Sequence, residues 1–195
     1  MNQIRIIGGQ WKRRQIRFEN IEGLRPTPDR VRETLFNWLM YDVGGARVLD
    51  LCAGSGALGF EALSRGAASC YFVEPDRKQV IALKAAINIL DATARAHVLA
   101  TTAQKALERL EGPFDLLFLD PPYSLNLWQS LATPCDALLS PTAWIYVEAD
   151  RPFDQLGLPT HWHLHRQTQA GSVYAGLFQR QSTHTAVSEP APLSL

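Results

Sequence analysis

Arg47-Val48-Leu49-Asp50-Leu51-Cys52-Ala53-Gly54-Ser55-Gly56-Ala57-Leu58-Gly59 decides the fold. Its opening residues read as a buried strand that carries one acid, the glycines open a tight turn, and a helix begins near Ala57. Glycines lack side chains, so a ligand can approach the backbone there and meet the unpaired N–H groups of the helix start. The string also satisfies G-x-G-x-x-G, so a nicotinamide or flavin dinucleotide competes for this loop, and alone the motif does not decide.

Outward from this unit the chain alternates. Upstream, Thr27 reads as a helix N-cap with Pro28 in the first helical position, and Val31, Leu35, Trp38 and Leu39 share an apolar face ended by Gly44-Gly45. A strand is expected at 47–51, a helix at 58–65 stopped by Gly66, a strand at 69–73, a helix at 76–90 and a strand at 96–99. Helix 103–110, strand 115–119, helix 126–139 and strand 143–148 continue the series. Strands separated by helices imply an α/β fold with a mostly parallel sheet covered on both faces. Segments 161–166 and 173–180 have no long helix between them and read as an antiparallel pair turning at Ala170-Gly171.

In open α/β sheets ligands bind beyond the carboxyl ends of the strands, and acids fall at four such ends: Asp50, Glu74, Asp120 and Glu148. An acidic edge suits a cofactor with a sulfonium cation, an amino group and a ribose diol. It suits a pyrophosphate poorly. The third acid opens Asp120-Pro121-Pro122-Tyr123, directly after the apolar run Leu116-Leu117-Phe118-Leu119. An exocyclic amine on a nucleobase is a poor nucleophile until its N–H hydrogens are accepted and the nitrogen can pyramidalise. Asp120 and the Pro121 carbonyl are suited to accept them, the prolines fix the turn, and Tyr123 is placed to stack on a base. An ordinary turn followed by a core aromatic is the plain alternative. Asp50 and this turn fit S-adenosylmethionine better than a dinucleotide, whose fingerprint predicts neither.

Formal net charge is zero over 195 residues, but residues 1–32 hold eight basic side chains against three acidic ones, a local +5. The arm Gly8-Gly9-Gln10-Trp11-Lys12-Arg13-Arg14-Gln15-Ile16-Arg17 combines phosphate-binding charge with an aromatic, which suits RNA; a charged, solvated hairpin edge is the alternative. Arg5, Trp11, Lys12, Arg13, Arg14, Arg17 and Arg30 are the RNA-contact candidates. Cys52, Cys70 and Cys135 are odd in number without C-x-x-C pairing, so a disulfide framework and a zinc-thiolate site are disfavoured. His161, His163 and His165 alternate, with Trp162 and Leu164 expected on the opposite buried face, and no acid or cysteine accompanies them at ligand spacing, so no metal is assigned. No membrane span or secretory signal is read, which places the protein in the cytoplasm by default. Residues 1–181 read as one domain, with 1–24 as a basic hairpin extension, and the Ser/Thr/Pro-rich 182–195 reads as a disordered tail.

Arg25-Pro26-Thr27 with Asp29-Arg30-Val31-Arg32-Glu33-Thr34-Leu35-Phe36-Asn37-Trp38-Leu39, then Asp50 to Gly59, then Asp120-Pro121-Pro122-Tyr123, with Arg5-Ile6-Ile7-Gly8-Gly9 before and Ile145-Tyr146-Val147-Glu148 after, resembles the bacterial 16S rRNA guanine-N2 methyltransferases of the RsmD type. The resemblance runs to about Arg180. It implies a Rossmann-like class I methyltransferase fold, a seven-stranded sheet whose last strand is antiparallel, and methyl transfer from S-adenosylmethionine to one guanine of 16S rRNA in the small ribosomal subunit; separately, a monomer is expected.

Carried over, it assigns the cofactor to Arg25, Thr27, Asp50, Cys52, Ala53, Gly54, Ser55, Gly56, Glu74, Pro75, Thr102, Ala103 and Asp120, and the guanine amine to Asp120, Pro121, Pro122 and Tyr123. Two positions depart from the pattern. Arg13 stands where similar sequences often have glycine, and Thr102 where an acid or amide often meets the adenine, which shifts that contact to the Ala103 backbone. An adenine-N6 methyltransferase, a dinucleotide oxidoreductase and a non-catalytic RNA-binding assembly protein remain the alternatives.

Overall fold

The apolar runs that the sequence separates by helices lie side by side in one sheet. A computed structural model describes residues 2–19 and 26–181; Arg25, part of the hairpin extension and the tail 182–195 lie outside the described residues. Among the described residues the order is β1 (Asn2–Arg5), β2 (Gln15–Phe18), α1 (Asp29–Trp38), β3 (Arg47–Asp50), α2 (Ala57–Ser64), β4 (Ser69–Val73), α3 (Arg77–Ile89), β5 (Ala96–Leu99), α4 (Ala103–Leu107), β6 (Phe114–Leu119), α5 (Trp128–Asp136), β7 (Leu139–Ala149), β8 (Trp162–Ala170) and β9 (Val173–Arg180). The seven-stranded sheet runs β5-β4-β3-β6-β7-β9-β8, and β1-β2 form a separate hairpin. Only β9 opposes its neighbours, pairing antiparallel with β7 and β8. This is the Rossmann-like arrangement that the resemblance implied.

The central strands are apolar on both faces because helices cover both. Val48, Leu116 and Phe118 join the side packed by Leu35, Phe36, Phe60 and Leu83. Their alternating neighbours Leu49, Leu117 and Leu119 join the side packed by Trp128, Leu131 and Trp162. The hairpin docks by the same alternation, with Ile4, Ile16 and Phe18 buried while Arg5 and Arg17 are exposed.

Several expected boundaries move. Helix α1 starts at Asp29 with Pro28 in the capping position, and Thr27 makes no cap. Its hydroxyl is instead turned to the buried Glu148 carboxylate, to which it donates at 2.9 Å, and so does not reach the N–H groups of the first helical turn. Helices α4 and α5 are shorter than expected. Before α5 the chain makes a short 3-10 turn, Tyr123–Leu125, closed by Asn126 at φ 48°, and β7 starts early because Leu139 already pairs with Phe114. In β8 the register shifts between Leu164 and Arg166, and Leu164 is 44% exposed rather than buried, since an edge strand has a neighbour on one side only. No helix among the described residues is long and apolar enough to cross a membrane.

Candidate active site

Strand order departs in opposite directions from β3 and β6, and open α/β sheets hold ligands at such a switch point. Asp50 ends β3, Asp120 follows β6, Glu74 follows β4 and Glu148 sits near the end of β7. Because these strands are parallel, the four acids share one edge.

The glycine loop is held by two of them. Asp50 Oδ2 accepts the Gly59 N–H at 3.1 Å, which ties the strand tip to the first turn of α2. Glu74 accepts the N–H groups of Gly54 at 3.0 Å and Asp76 at 2.7 Å, one on each oxygen. Gly54 and Gly56 take positive φ, 50° and 76°, a conformation that L side chains disfavour. Ser55 turns its hydroxyl inward, accepting the Ala57 N–H at 3.3 Å, and the Ala53 N–H bonds the Val73 carbonyl. Cys52 is half-buried in the loop, and burial followed by the charges of Asp120 and Asp50 keeps its thiol protonated. Pro75 is exposed beside Glu74. At the tip of β5, Thr102 caps α4, accepting the Lys105 N–H at 3.5 Å, and Ala103 is buried behind it.

Burial pushes the Asp50 carboxyl up to about 7, the Gly59 N–H holding it down and Glu74 adding to the rise. Burial raises Glu74 also, against the pull of its two N–H donors. Asp120 is raised well above the usual carboxylate range by burial, then by Glu148 and Asp50. None of the four acids takes part in an ion pair among the described residues. The edge therefore holds a cluster of carboxyl groups with no cation of its own.

At the Asp120 turn, Pro121 is buried and Pro122 exposed. The half-buried Tyr123 donates its hydroxyl to Glu148 Oε1 at 3.1 Å, and its ring lies 5.8 Å from that of Trp128. Burial, then Glu148 and Asp120, push the Tyr123 phenol up, so it remains a donor. Glu148 Oε2 accepts Thr27 at 2.9 Å and Tyr146 at 2.7 Å. The Glu148 carbonyl accepts the Trp128 indole N–H at 2.9 Å. Glu148 thus collects three hydroxyls from three parts of the chain. The sequence placed Glu148 among the strand-tip acids and, with Tyr146, in the stretch that carries the resemblance, but gave neither residue a role at the Asp120 turn.

The N-terminal arm needs one correction. Trp11 is 7% exposed, with its N–H on Ser64 Oγ at 3.0 Å and the Arg95 guanidinium 5.4 Å over its ring. It is core, not a stacking surface for RNA. The surrounding loop docks on α2: Gln10 N–H bonds the Ser64 carbonyl, and Ser64 Oγ donates to the Gly8 carbonyl at 2.6 Å. Arg13 adopts φ 71°, which explains why glycine suits its position.

Lys12, Arg13, Arg14, Arg17 and Arg30 are exposed, with Arg14 bonded to the Ile89 carbonyl at 2.9 Å. Arg5 is 3.9 Å from Asp29 and shares a groove of ≈ 270 Å³ with Lys12 and Arg13. Arg32 differs: it is 1% exposed and bonds Asp29, the Thr27 and Arg5 carbonyls, and lies 3.7 Å from Glu61. Of the histidines, His161 meets Asp136 at 2.9 Å and His165 packs on Trp144. No cluster of three potential metal ligands occurs among the described residues.

A family profile described as conserved hypothetical protein 95 matches residues 4–179. The chain is 42% identical over 189 residues to ribosomal RNA small subunit methyltransferase D of Escherichia coli, covering 92% of this chain and 91% of that protein. It is 42% identical over 185 residues to the protein of the same name from Haemophilus influenzae, covering 91% and 94%. The solved structure of Escherichia coli yhhF superposes with a TM-score of 0.85 at 42% identity, covering 93% of this chain and 99% of that one. With the switch-point acids, the glycine loop and the Asp120 turn in one site, the chain belongs to the ribosomal RNA small subunit methyltransferase D family, whose profile carries the description conserved hypothetical protein 95.

Proposed function

We propose that this protein transfers a methyl group from S-adenosylmethionine to the exocyclic N2 of a guanine in 16S rRNA. The observation that carries this reading is the meeting of Asp120, Asp50 and Glu148 at the switch point, beside an aromatic ring on a proline-fixed turn. The residues fit the cofactor by charge. Four carboxyl groups without a counter-cation suit a ligand bearing a sulfonium and an amine, and Glu74 suits a ribose diol. Asp50, the loop Cys52, Ala53, Gly54, Ser55 and Gly56, then Glu74 and Pro75, with Thr102 and Ala103 at the β5 tip and Thr27 above β7, would hold it. Bound there, S-adenosylmethionine supplies an electrophilic methyl group.

The chain's own contribution is placement. Asp120 and the Pro121 carbonyl accept the N–H hydrogens of the guanine amine, which lets the nitrogen leave the ring plane and present its lone pair. A buried carboxyl between two acids keeps its proton; a cation entering the cluster reverses that balance and leaves Asp120 an acceptor. The amine becomes acidic only once methylated, so Asp120 need not remove a proton first, and the ionised Asp120 that already accepts that N–H takes the proton after transfer. Tyr123 holds the flipped base, and Glu148 holds Tyr123. Positioning and fixed charge supply most of the rate.

We also infer that residues 1–181 act as one domain and as a monomer on the small subunit, in the cytoplasm. Ile4, Ile16 and Phe18 of the hairpin share one core with the sheet, which supports the single domain. Incubating the protein with methyl-labelled S-adenosylmethionine and small subunits from a strain lacking it, then identifying the labelled nucleoside, tests the proposal. Label in N2-methylguanosine is expected. Label in N6-methyladenosine, or none despite cofactor binding, would overturn it.

A further inference from the structure

Two grooves flank α1. One lies against the hairpin, and its lining includes Asp29 and Glu33. The other, of ≈ 370 Å³, lies between the first half of α1 and the β8–β9 turn, and Arg30, Thr34, Thr168, Gln169, Ala170 and Gly171 line it. No carboxylate lines the second groove, and Arg30 is its cation.

Its position ties it to the catalytic edge. Helix α1 begins two residues after Thr27, whose hydroxyl is on Glu148. Thr168 pairs with Ala175 of β9, and Ala175 pairs with Glu148 of β7. Thr168 is therefore two strand spacings from Glu148, roughly 10 Å. The β8–β9 turn stands at the same edge as Asp120 and Glu148, because β9 starts where β7 ends.

A base taken out of its stack drags its neighbours with it, and their phosphates then approach the active site. Here they would meet Asp50, Glu74, Asp120 and Glu148, so a cation beside that cluster is needed to hold the strand. The arginines near α1 are not equivalent. Arg32 is buried against Asp29 and Glu61, and Arg5 shares Asp29. Arg30 is exposed and has no ion pair among the described residues. Across the groove the Thr168 hydroxyl has no hydrogen-bond partner among the described residues, whereas Thr34 donates its hydroxyl to the Arg30 carbonyl and Gln169 an amide N–H to the Gly171 carbonyl. A free hydroxyl opposite a free guanidinium matches a ribose 2′-OH next to its phosphate.

We propose that this groove seats the RNA nucleotide adjoining the target guanine, with Arg30 on its phosphate and Thr168 on its 2′-OH. The proposal rests on the methyl-transfer reading and deepens it.

The test uses the full-length protein and small subunits from a strain lacking it. Arg30→Ala should raise the subunit KM about tenfold, more than it lowers kcat, with affinity for S-adenosylmethionine unchanged, as for one charge-assisted contact. Arg30→Lys should recover part of the loss, and Thr168→Val should raise KM by a smaller factor. A benzophenone-bearing residue placed at Gln169 should cross-link to RNA beside the methylated guanine. An unchanged KM in Arg30→Ala, or cross-links confined to distant RNA or to a ribosomal protein, would overturn the groove assignment while the wild type still methylates. A wild type that never labels guanine would remove the methyl-transfer reading itself.

Discussion

The Thr27 hydroxyl donates to Glu148 Oε2 at 2.9 Å, joining residues 121 positions apart. The bond closes the active-site edge from the N-terminal side. Arg32, one turn along α1, bonds the Thr27 carbonyl at 3.2 Å and the Arg5 carbonyl at 3.1 Å, so the segment before α1 is pinned at both its hydroxyl and its backbone. Glu61 completes the brace, since its carboxylate also accepts the N–H groups of Ile7 and Gly8. The basic hairpin and the strand-tip carboxylates are thereby built on one framework.

Glu148 has a role that can be separated from folding. Burial raises Asp120 most, Glu148 adds to the rise ahead of Asp50 on β3, and Tyr123 and Tyr146 face Glu148 as neutral hydroxyls. In Glu148→Gln the like charge is gone, so Asp120 ionises at lower pH and the acid limb of the rate profile moves down. Weakening the grip on Tyr123 should slow transfer a few-fold, less than loss of the ring does. Single-turnover rates against pH check this; an acid limb that stays in place would assign Glu148 to structure alone.

Asp120 and Tyr123 separate by what each leaves behind. Asp120→Ala should cut transfer by at least about a hundredfold with cofactor binding largely intact, since it removes a group that acts on the amine. Normal turnover would sink its role. Tyr123→Ala should cost about tenfold through lost stacking, and Tyr123→Phe less, because the ring remains. Equal losses in the two variants would place the function in the hydroxyl on Glu148 rather than in the ring.

The sequence made the sheet legible because its central strands are buried on both faces and read as unbroken apolar runs: Val48-Leu49 and Leu116-Leu117-Phe118-Leu119 each divide between two cores. Asp50, Glu74 and Asp120 were legible as strand-tip acids for the same reason. The function of Glu148 was not, since its donors come from residues 27, 123 and 146 and only the fold brings them together. Trp11 misled because an aromatic among arginines looks the same whether it faces RNA or packs on Ser64 and Arg95. Thr27 misled because local sequence offers it a helix to cap and hides the distant carboxylate.

Gly9 tests whether the arm is docked as a rigid part of the fold. It sits at φ 74°, and a Cβ there would lie 1.9 Å from the Ser64 carbonyl oxygen. That oxygen is backbone of α2 and cannot swing aside. Gly9→Ala should cost roughly 2–4 kcal/mol through strain and the loss of the Gln10 and Trp11 bonds to Ser64. Urea unfolding measures it, and a midpoint equal to wild type would mean that the loop docks weakly.

Asp50 sets a conflict between stability and binding. Its carboxyl titrates near 7 in the fold, against 3.8 as the ordinary value, with burial the main cause. The folded state thus holds a proton that the unfolded state releases, so Asp50 lowers stability as pH rises from about 4 to about 7 and adds no further loss above that. Asp120 and Glu74 act in the same direction. Asp50→Asn removes the ionisation, and the cofactor-free protein should gain on the order of a few kcal/mol at pH 8 and little at pH 4. The same variant should bind S-adenosylmethionine at least about tenfold more weakly, because the cation loses its carboxylate. Denaturation at the two pH values, with and without cofactor, reads both effects. A variant less stable than wild type at pH 8 would mean that the bond to the Gly59 N–H outweighs the buried charge, and that Asp50 is held ionised.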